Sequence, residues 1–258
     1  MEIIDAHTSI LSTPDYVLEL MTEMNRLEIS KACISGMGSM FNSVNNKEIV
    51  KIIDDFSPRF IGTYFVRPGV TTAIEIQDAY SLGFRMLKVA IPKKPYNDST
   101  FLPIWGAAQR LNMPILFHTG LITVPETSPK DMILSLDMHP LRIEPIANSF
   151  PDLNIILSQL GGHWNTDAAE LARMRANVYL DLTGEQDGWR KRIDKEGLEK
   201  YLYWENAFQD LVFGTNTEPS KIKKILDEDK NRYNKLKLDE KTVEMIFSGN
   251  IKKMLGIA

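Results

Sequence analysis

The sequence contains a single cysteine, Cys33, and this scarcity excludes an internal disulfide. Its surroundings are apolar, so a buried, unreactive thiol is expected. No apolar run reaches the roughly 18 residues that a membrane-spanning helix needs. The opening residues, MEIIDAH, lack the basic and apolar segments of a signal peptide. These absences predict a cytoplasmic protein with no membrane partner.

A strong excess of positive charge is also missing. The formal net charge is −4 and the basic residues are scattered, apart from short clusters at residues 221–224 and 252–253. We expect both clusters to form solvated helix faces. The charge balance gives no basis for a nucleic-acid partner, and a small molecule is the expected ligand.

Short apolar runs alternate with longer amphipathic stretches along the whole chain. Strands are predicted at residues 2–6, 31–34, 60–66, 84–89, 114–117, 154–157, 178–181 and 211–214. Most of these runs are continuously apolar, as is typical of parallel strands covered on both faces. No Gly-x-Gly-x-x-Gly follows the first run, which argues against a dinucleotide fold. The alternation predicts an α/β protein in which residues 1–258 form one (β/α)8 TIM barrel.

Two segments interrupt this alternation. Residues 119–139 are predicted to be a long loop, which often acts as a lid. Residues 187–206 are charged and aromatic, and they are expected to cover the barrel mouth or to join a subunit interface. The aromatic residues Tyr201, Tyr203 and Trp204 favour a homodimer.

Polar residues cluster where the predicted strands end, which is the catalytic end of such barrels. They are His7, Ser9, Arg67, Lys88, His118, Gln159, Asp181, Asn216 and Glu218. A single histidine is more often a buried structural residue than a catalytic one. Two histidines at the ends of separate strands favour a functional site instead.

Four of these segments resemble the amidohydrolase-related family in both order and flanking sequence. They are Asp5-Ala-His-Thr-Ser9, Pro114-Ile-Leu-Phe-His118, Ile155-Ile-Leu-Ser-Gln159-Leu-Gly-Gly162 and Val212-Phe-Gly-Thr-Asn216. The closing segment, Ile246 to Gly256, also resembles the last helix of these proteins. The resemblance implies a barrel that acts on small carboxylated or aromatic compounds, in most members with a divalent metal.

The residues that the resemblance assigns to the metal are largely replaced. The family carries a His-x-His pair, two further histidines and an aspartate, whereas this chain has Ser9, Gln159 and Asn216 at three of those five positions. His7 and His118 remain as competent ligands. A hydroxyl and two amides bind such ions poorly, so we predict no metal. An alternative zinc or manganese ion would use His7 and His118, with help from His163, Glu126, Glu218 or Asp181.

The resemblance and the strand-end chemistry together suggest roles for these residues. His7 and His118 are the predicted acid–base groups, because imidazole titrates near neutral pH, and Asn216 replaces the family's proton-accepting aspartate. Substrate binding is predicted for Ser9, Arg67, Lys88, Gln159, His163 and Glu218. The two cations would hold a substrate carboxylate or a developing oxyanion, unless they pair with Asp181, Glu126 or Glu218.

Two functions are compatible with these features. The first is a metal-independent hydrolase or carboxy-lyase acting on a small anionic substrate, such as a carboxylated compound or a lactone. The resemblance implies this option, because the family's pyrone-dicarboxylate lactonases are understood to work without a metal. The second is a degenerate barrel that binds a small molecule, or regulates, without turnover.

Overall fold

A computed structural model describes residues 1–124, 132–184 and 186–257, without the side chains of residues 186 and 187. Its centre is a sheet of eight strands that pair in parallel in the order β1 to β8. The strands are Ile4–Ser9, Lys31–Ser35, Phe60–Val66, Phe84–Val89, Ile115–Phe117, Ile155–Leu157, Val178–Asp181 and Leu211–Val212. The Ala6 N–H donates to the Phe213 carbonyl at 2.9 Å, and the Asn216 N–H to the His7 carbonyl at 2.7 Å. These bonds close the sheet into the predicted barrel.

Helices lie between the strands and around the barrel. Their bounds, α1 to α10, are Tyr16–Arg26, Asn46–Asp55, Ala73–Ser81, Leu102–Arg110, Glu144–Ser149, Asn165–Met174, Lys191–Glu196, Ile222–Lys235, Glu240–Glu244 and Asn250–Leu255. Local sequence fixes several boundaries. Capping boxes, formed by Asn45 with Glu48 and by Thr72 with Glu75, start α2 and α3. Gly83, with φ of 97°, ends α3 in the left-handed conformation expected after a helix.

The lower part of the barrel interior is an apolar layer to which most strands contribute. It contains Ile4, Ala6, Cys33, Met86, Leu116, Ile156, Tyr179 and Val212, and Ile251 and Met254 of α10 close it from below. Cys33 is buried as predicted, and burial raises the pKa of its thiol. A packed, dry layer of this kind gives the residues above it a rigid base.

A polar layer lies directly above the apolar one. Because side chains alternate along a strand, residues two positions further on enter the same interior. Ser35, Thr63, Lys88, His118, Ser158 and Asp181 are reached in this way, and all six are buried. The same period of two therefore builds the core and places the polar groups.

Strand β1 departs from this alternation. Its register against β2 shifts between Asp5 and Thr8, which brings both His7 and Ser9 to the site. Buried Asp5 holds the irregular segment: its Oδ1 accepts the N–H groups of His7 and Thr215, each at 3.0 Å. Burial raises the pKa of Asp5 to about 6.

The two predicted interruptions are described in part. Of the loop at 119–139, residues 125–131 lie outside the described residues; after them a short 3-10 turn, Ser135–Met138, packs on the barrel and Met138 is buried. In the second segment Arg190 donates to the Leu182 carbonyl and Arg192 to the Gly162 carbonyl. These hydrogen bonds connect the second segment to the loops that follow β7 and β6. Among the described residues, no helix is long and apolar enough to cross a membrane.

Gly214 tests how tightly the interior is packed around His7. A Cβ at this position would lie 2.8 Å from the His7 Cβ and 3.1 Å from the Thr183 Cγ2. We expect Gly214→Ala to lower the free energy of unfolding by about 1–3 kcal/mol, the usual cost of overpacking. Urea denaturation measures it. Gly249→Ala is the matched control, because its Cβ would meet nothing closer than 3.6 Å; equal stability of the two variants would contradict the packing described.

Candidate active site

His7 and Asp181 form a buried pair across the barrel. The His7 Nδ1 lies 2.8 Å from the Asp181 Oδ2. The other carboxylate oxygen accepts the N–H groups of Gln159 at 2.7 Å and Thr183 at 2.9 Å, and the Thr183 hydroxyl at 2.6 Å. Burial alone would raise the pKa of Asp181, but its electrostatic interaction and hydrogen bond with His7, together with the other donors, lower it. An ionised carboxylate therefore fixes the orientation of the His7 ring.

The second ring nitrogen of His7, Nε2, makes no hydrogen bond to Asp181. The His7 Nε2 is buried and has no hydrogen-bond partner among the described residues. When Nδ1–H donates to Asp181, Nε2 carries a lone pair and can accept a proton. Burial, reinforced by the nearby charge of Lys88, lowers the pKa of His7, although Asp181 opposes this. The lowered pKa favours the neutral ring, whose Nε2 lone pair is then available to accept a proton.

Lys88, Ser9 and Asn216 form a second connected group. The Lys88 Nζ donates to the Ser9 Oγ at 2.8 Å, and this hydroxyl donates to the Asn216 Oδ1 at 2.8 Å. Burial lowers the pKa of Lys88 to about 7, and Asp181 offsets this only in part. Asn216 adopts φ of 40°, which asparagine tolerates better than most residues. The group joins β4, β1 and the loop after β8.

The electrostatic environment of His118 includes Lys88, His7 and Asp181. Burial, then Lys88 and His7, lower the pKa of His118 to about 4, against a hydrogen bond to the Leu121 backbone that raises it. Its Nε2 is also buried without a partner among the described residues. The interior thus holds two neutral imidazoles with unsatisfied nitrogens, which is costly unless a ligand or water completes them.

Gln159 adopts an unusual backbone conformation in the same region. Its φ is 61°, which is rare for a residue other than glycine. The conformation allows its N–H to reach Asp181. A Cβ on Gly120 would lie 3.4 Å from the Gln159 Oε1, and one on Gly184 would lie 3.3 Å from its Cγ. The glycines leave space for this side chain.

A cavity of about 340 Å³ borders the polar layer at Ser9 and Asn216, whereas His7, Lys88 and His118 are not among its lining residues. Ser9 and Asn216 are among its lining residues, with Tyr16, Met37, Phe41 and Glu218. Tyr16 was not predicted from sequence; its hydroxyl donates to the Thr217 carbonyl at 3.3 Å. The volume suits a small molecule, since such sites typically measure about 300–1,000 Å³.

Three predicted binding residues lie at the edge of this arrangement. His163 is exposed, and the neighbouring Trp164 packs against the His139 ring with 4.5 Å between the ring centroids. Glu218 is exposed and pairs with Lys221 at 3.1 Å. Arg67 is half-buried, and its Nε donates to the Ile91 carbonyl at 3.1 Å, at the ends of β3 and β4. Their proposed contacts with substrate stay predictions.

The predicted alternative, an ion pair of a site cation with Asp181, is wrong for Lys88 in the described structure. Asp181 binds His7 instead, and Lys88 forms no ion pair among the described residues. Glu126, another suggested partner, lies outside them. Sequence reasoning placed Asp181 near the mouth but could not find its partner, and it missed Asp5 and Thr183. Their positions in Asp5-x-His7 and Asp181-x-Thr183 were the available signal.

The donor atoms fit the family's metal poorly. The Nε2 atoms of His7 and His118 would suit an ion, but Ser9 and Asn216 are bonded to each other and supply only neutral oxygens. The Asp181 carboxylate is already committed to His7 and Thr183. No group of three histidine, cysteine, aspartate or glutamate side chains that could hold a metal occurs in the described part of the chain. The residues present therefore do not reproduce the family's metal site.

The fold and the mouth residues define an amidohydrolase-type barrel. A family model described as Amidohydrolase matches residues 40–257, and the chain belongs to this family. The comparison with curated proteins found no match.

Solved structures confirm the barrel. The chain is similar to an uncharacterized TIM-barrel protein from Bordetella bronchiseptica (TM-score 0.74, 18% identity, 99% of each chain covered). It is also similar to a probable 2-pyrone-4,6-dicarboxylic acid hydrolase from Acinetobacter baumannii with citric acid bound (TM-score 0.65, 13% identity, 100% of each chain). A third is 2,6-dihydroxybenzoate decarboxylase from Rhizobium (TM-score 0.67, 14% identity, 99% of each chain). At such identities the likeness shows the fold alone.

The buried Lys88 should make the fold sensitive to pH. Its pKa is about 7 when folded against 10.5 as the ordinary value, so the unfolded chain binds the extra proton between these pH values. Stability from this group therefore rises with pH across that window. We expect Lys88→Met to raise Tm at pH 7, by about 2–4 °C for each kcal/mol recovered, and the gain to shrink towards pH 10.

Calorimetry measures the Tm difference between Lys88→Met and wild type at pH values from about 6 to about 10, a range that roughly covers the interval between the two pKa values. Lys51→Met, which removes an exposed lysine of α2, is the matched control and should change little. A Tm gain for Lys88→Met that stays constant with pH would contradict the burial of a titrating amine.

Proposed function

We propose that the protein is a metal-independent hydrolase that opens a small carboxylated lactone or ester. The observation that carries the proposal is the buried His7, with Asp181 on Nδ1 and an unpartnered Nε2. A general base needs this arrangement: one nitrogen is held by a carboxylate and the other faces the proton that it takes. His7 would deprotonate the water that hydrolyses the acyl group of the substrate.

The remaining groups supply what a metal would otherwise provide. Polarisation of a carbonyl requires fixed donors in a water-poor site. The Asn216 amide, with its oxygen accepting from Ser9, leaves its NH2 group to donate to a substrate oxygen. Neutral His118, at the end of β5, would hydrogen-bond to the leaving oxygen, and this oxygen would receive the proton that His7 had taken from water. Lactones and activated esters suit this weaker activation better than amides do.

Two features support a small anionic substrate. The cavity of about 340 Å³ accommodates a compact molecule. Arg67 lies at the ends of β3 and β4, where its guanidinium would meet a carboxylate entering the mouth. Two structural neighbours, the probable 2-pyrone-4,6-dicarboxylic acid hydrolase and the 2,6-dihydroxybenzoate decarboxylase, are named for carboxylated substrates.

Two other functions make different predictions. A carboxy-lyase would release carbon dioxide from a carboxylated aromatic compound, whereas hydrolysis consumes one water and releases none. A degenerate barrel would bind such compounds and leave them unchanged. The unsatisfied, oriented Nε2 of His7 favours turnover, because a site that only binds gains nothing from a poised base.

The role of His7 is testable by substitution and by pH. We expect His7→Asn to lower kcat by about 100- to 10,000-fold, the usual contribution of a general base. Because the pKa of His7 lies below 6.5, the acid limb of the water-dependent step should fall below that pH. Hydrolysis of a panel of lactones and 4-nitrophenyl esters, followed with and without EDTA, provides the measurement. Activity that EDTA abolishes and zinc or manganese restores would refute the metal-independent site.

Arg67 should govern selectivity for carboxylated substrates. We expect Arg67→Gln to raise KM for 4-nitrophenyl hydrogen succinate about 10- to 100-fold, since a charge-assisted hydrogen bond contributes roughly 1.5–3 kcal/mol. KM for 4-nitrophenyl acetate should stay within about twofold, because this ester is neutral and has no carboxylate that could form a charge-assisted hydrogen bond with Arg67. Arg110→Gln, at the exposed end of α4, is the matched control. Equal effects on both esters would exclude a carboxylate-binding role.

A further inference from the structure

We propose that Ser9 is a covalent nucleophile and that Lys88 takes its proton, so that hydrolysis passes through an acyl-enzyme on Ser9. The inference rests on the proposed hydrolytic function and adds to it the atom that first attacks the substrate. Ser9 stands at a position where the family carries a histidine, so the replacement would change the chemistry rather than only remove a ligand.

The contacts of Ser9 are those of an activated hydroxyl. Its Oγ lies 2.8 Å from the Lys88 Nζ and 2.8 Å from the Asn216 Oδ1. A serine hydroxyl is a weak nucleophile unless an adjacent base accepts its proton, and a lysine amine serves as that base in known serine–lysine pairs. In the structure this hydroxyl donates to the Asn216 Oδ1, so it has to rotate towards a neutral Lys88 Nζ before the amine can take its proton.

Accessibility distinguishes Ser9 from its neighbours. Ser9 is half-buried and lines the cavity of about 340 Å³, together with Asn216. Lys88, by contrast, is only 2% exposed and lies behind the hydroxyl. A substrate carbonyl entering the cavity therefore meets Ser9 before it could reach the amine.

The surroundings of Lys88 favour the neutral amine that this role needs. The side chain is buried, forms no ion pair among the described residues, and shares the interior with His7 and His118. A lysine that served only as a fixed cation would be expected beside a carboxylate. The lowered pKa of Lys88, about 7, agrees with this geometry.

The proposed reaction has two steps. The Ser9 Oγ bonds to the carbonyl carbon and its proton passes to Lys88 Nζ; the bond from that carbon to the leaving oxygen then breaks, and Lys88 returns the proton to this oxygen. Water, deprotonated by His7 Nε2, next attacks the acyl carbon, the bond to Ser9 breaks, and Oγ regains a proton from His7. The sum is ester plus water giving acid plus alcohol. For a lactone the alcohol stays attached to the acyl group.

Rapid-quench kinetics with 4-nitrophenyl acetate, followed by peptide mass spectrometry, test the proposal. The wild-type chain should release an initial burst of about one 4-nitrophenol per chain, because acylation precedes slower deacylation. His7→Asn, which impairs the water step, should accumulate an acetyl group on Ser9. Ser9→Ala should lose the burst and at least about 100-fold in rate. Ser81→Ala, at an exposed helix serine whose hydroxyl donates to the Gln77 carbonyl, is the matched control and should behave as wild type.

The possible outcomes separate failure of the Ser9 nucleophile from failure of the proposed hydrolytic function. Ester hydrolysis within about threefold of wild type in Ser9→Ala would overturn the nucleophile but leave His7-activated water, and the proposed function, intact. Acetyl on Lys88 in place of Ser9 would likewise overturn it. Failure of the wild-type chain to hydrolyse any ester or lactone would refute the proposed function and this inference with it. If Ser9→Ala does not fold, Ser9→Cys carries the test, since a thioester at residue 9 is the expected adduct.

Discussion

The hydrogen bond between His7 and Asp181, buried in the barrel interior, is the constraint on which the site depends. It joins β1 to β7 across the mouth and holds an ionised carboxylate in a dry environment. Because the carboxylate also accepts the Gln159 N–H, the same residue sets the unusual backbone beyond β6. One aspartate thus orients the His7 ring and binds the backbone of the loop beside it.

The layered interior explains how the barrel tolerates these groups. Burying histidine, lysine and aspartate costs stability, which only satisfied partners or altered protonation offset. Asp181 is satisfied by hydrogen bonds, whereas Lys88 and His118 are accommodated by lowered pKa values. Burial of the apolar layer beneath stabilises the fold and offsets the free-energy cost of burying these polar groups. Such a balance is typical of a site in which stability has been traded for chemistry.

Much of the fold could be predicted from sequence, because long apolar runs and helix periodicity are local signals. The predicted strand ends placed Lys88, His118 and Asp181 at one end of the barrel. The pairings could not be predicted: Asp181 with His7 and Ser9 with Lys88 join residues 174 and 79 positions apart. The register shift in β1 was equally hidden, since it depends on bonds from His7 and Thr215 to Asp5 rather than on any turn signal.

Because three of the family's ligands are replaced, the proposed chemistry depends on the protonation state and tautomer of the His7 ring. Nitrogen-15 NMR of histidine-labelled protein, titrated between pH 4 and 8, roughly bracketing the ordinary imidazole pKa, reports it directly. We expect His7 to carry its proton on Nδ1 at neutral pH, to leave Nε2 unprotonated and to titrate below pH 6.5. A proton on Nε2, or an imidazolium that persists above pH 7, would contradict the poised base.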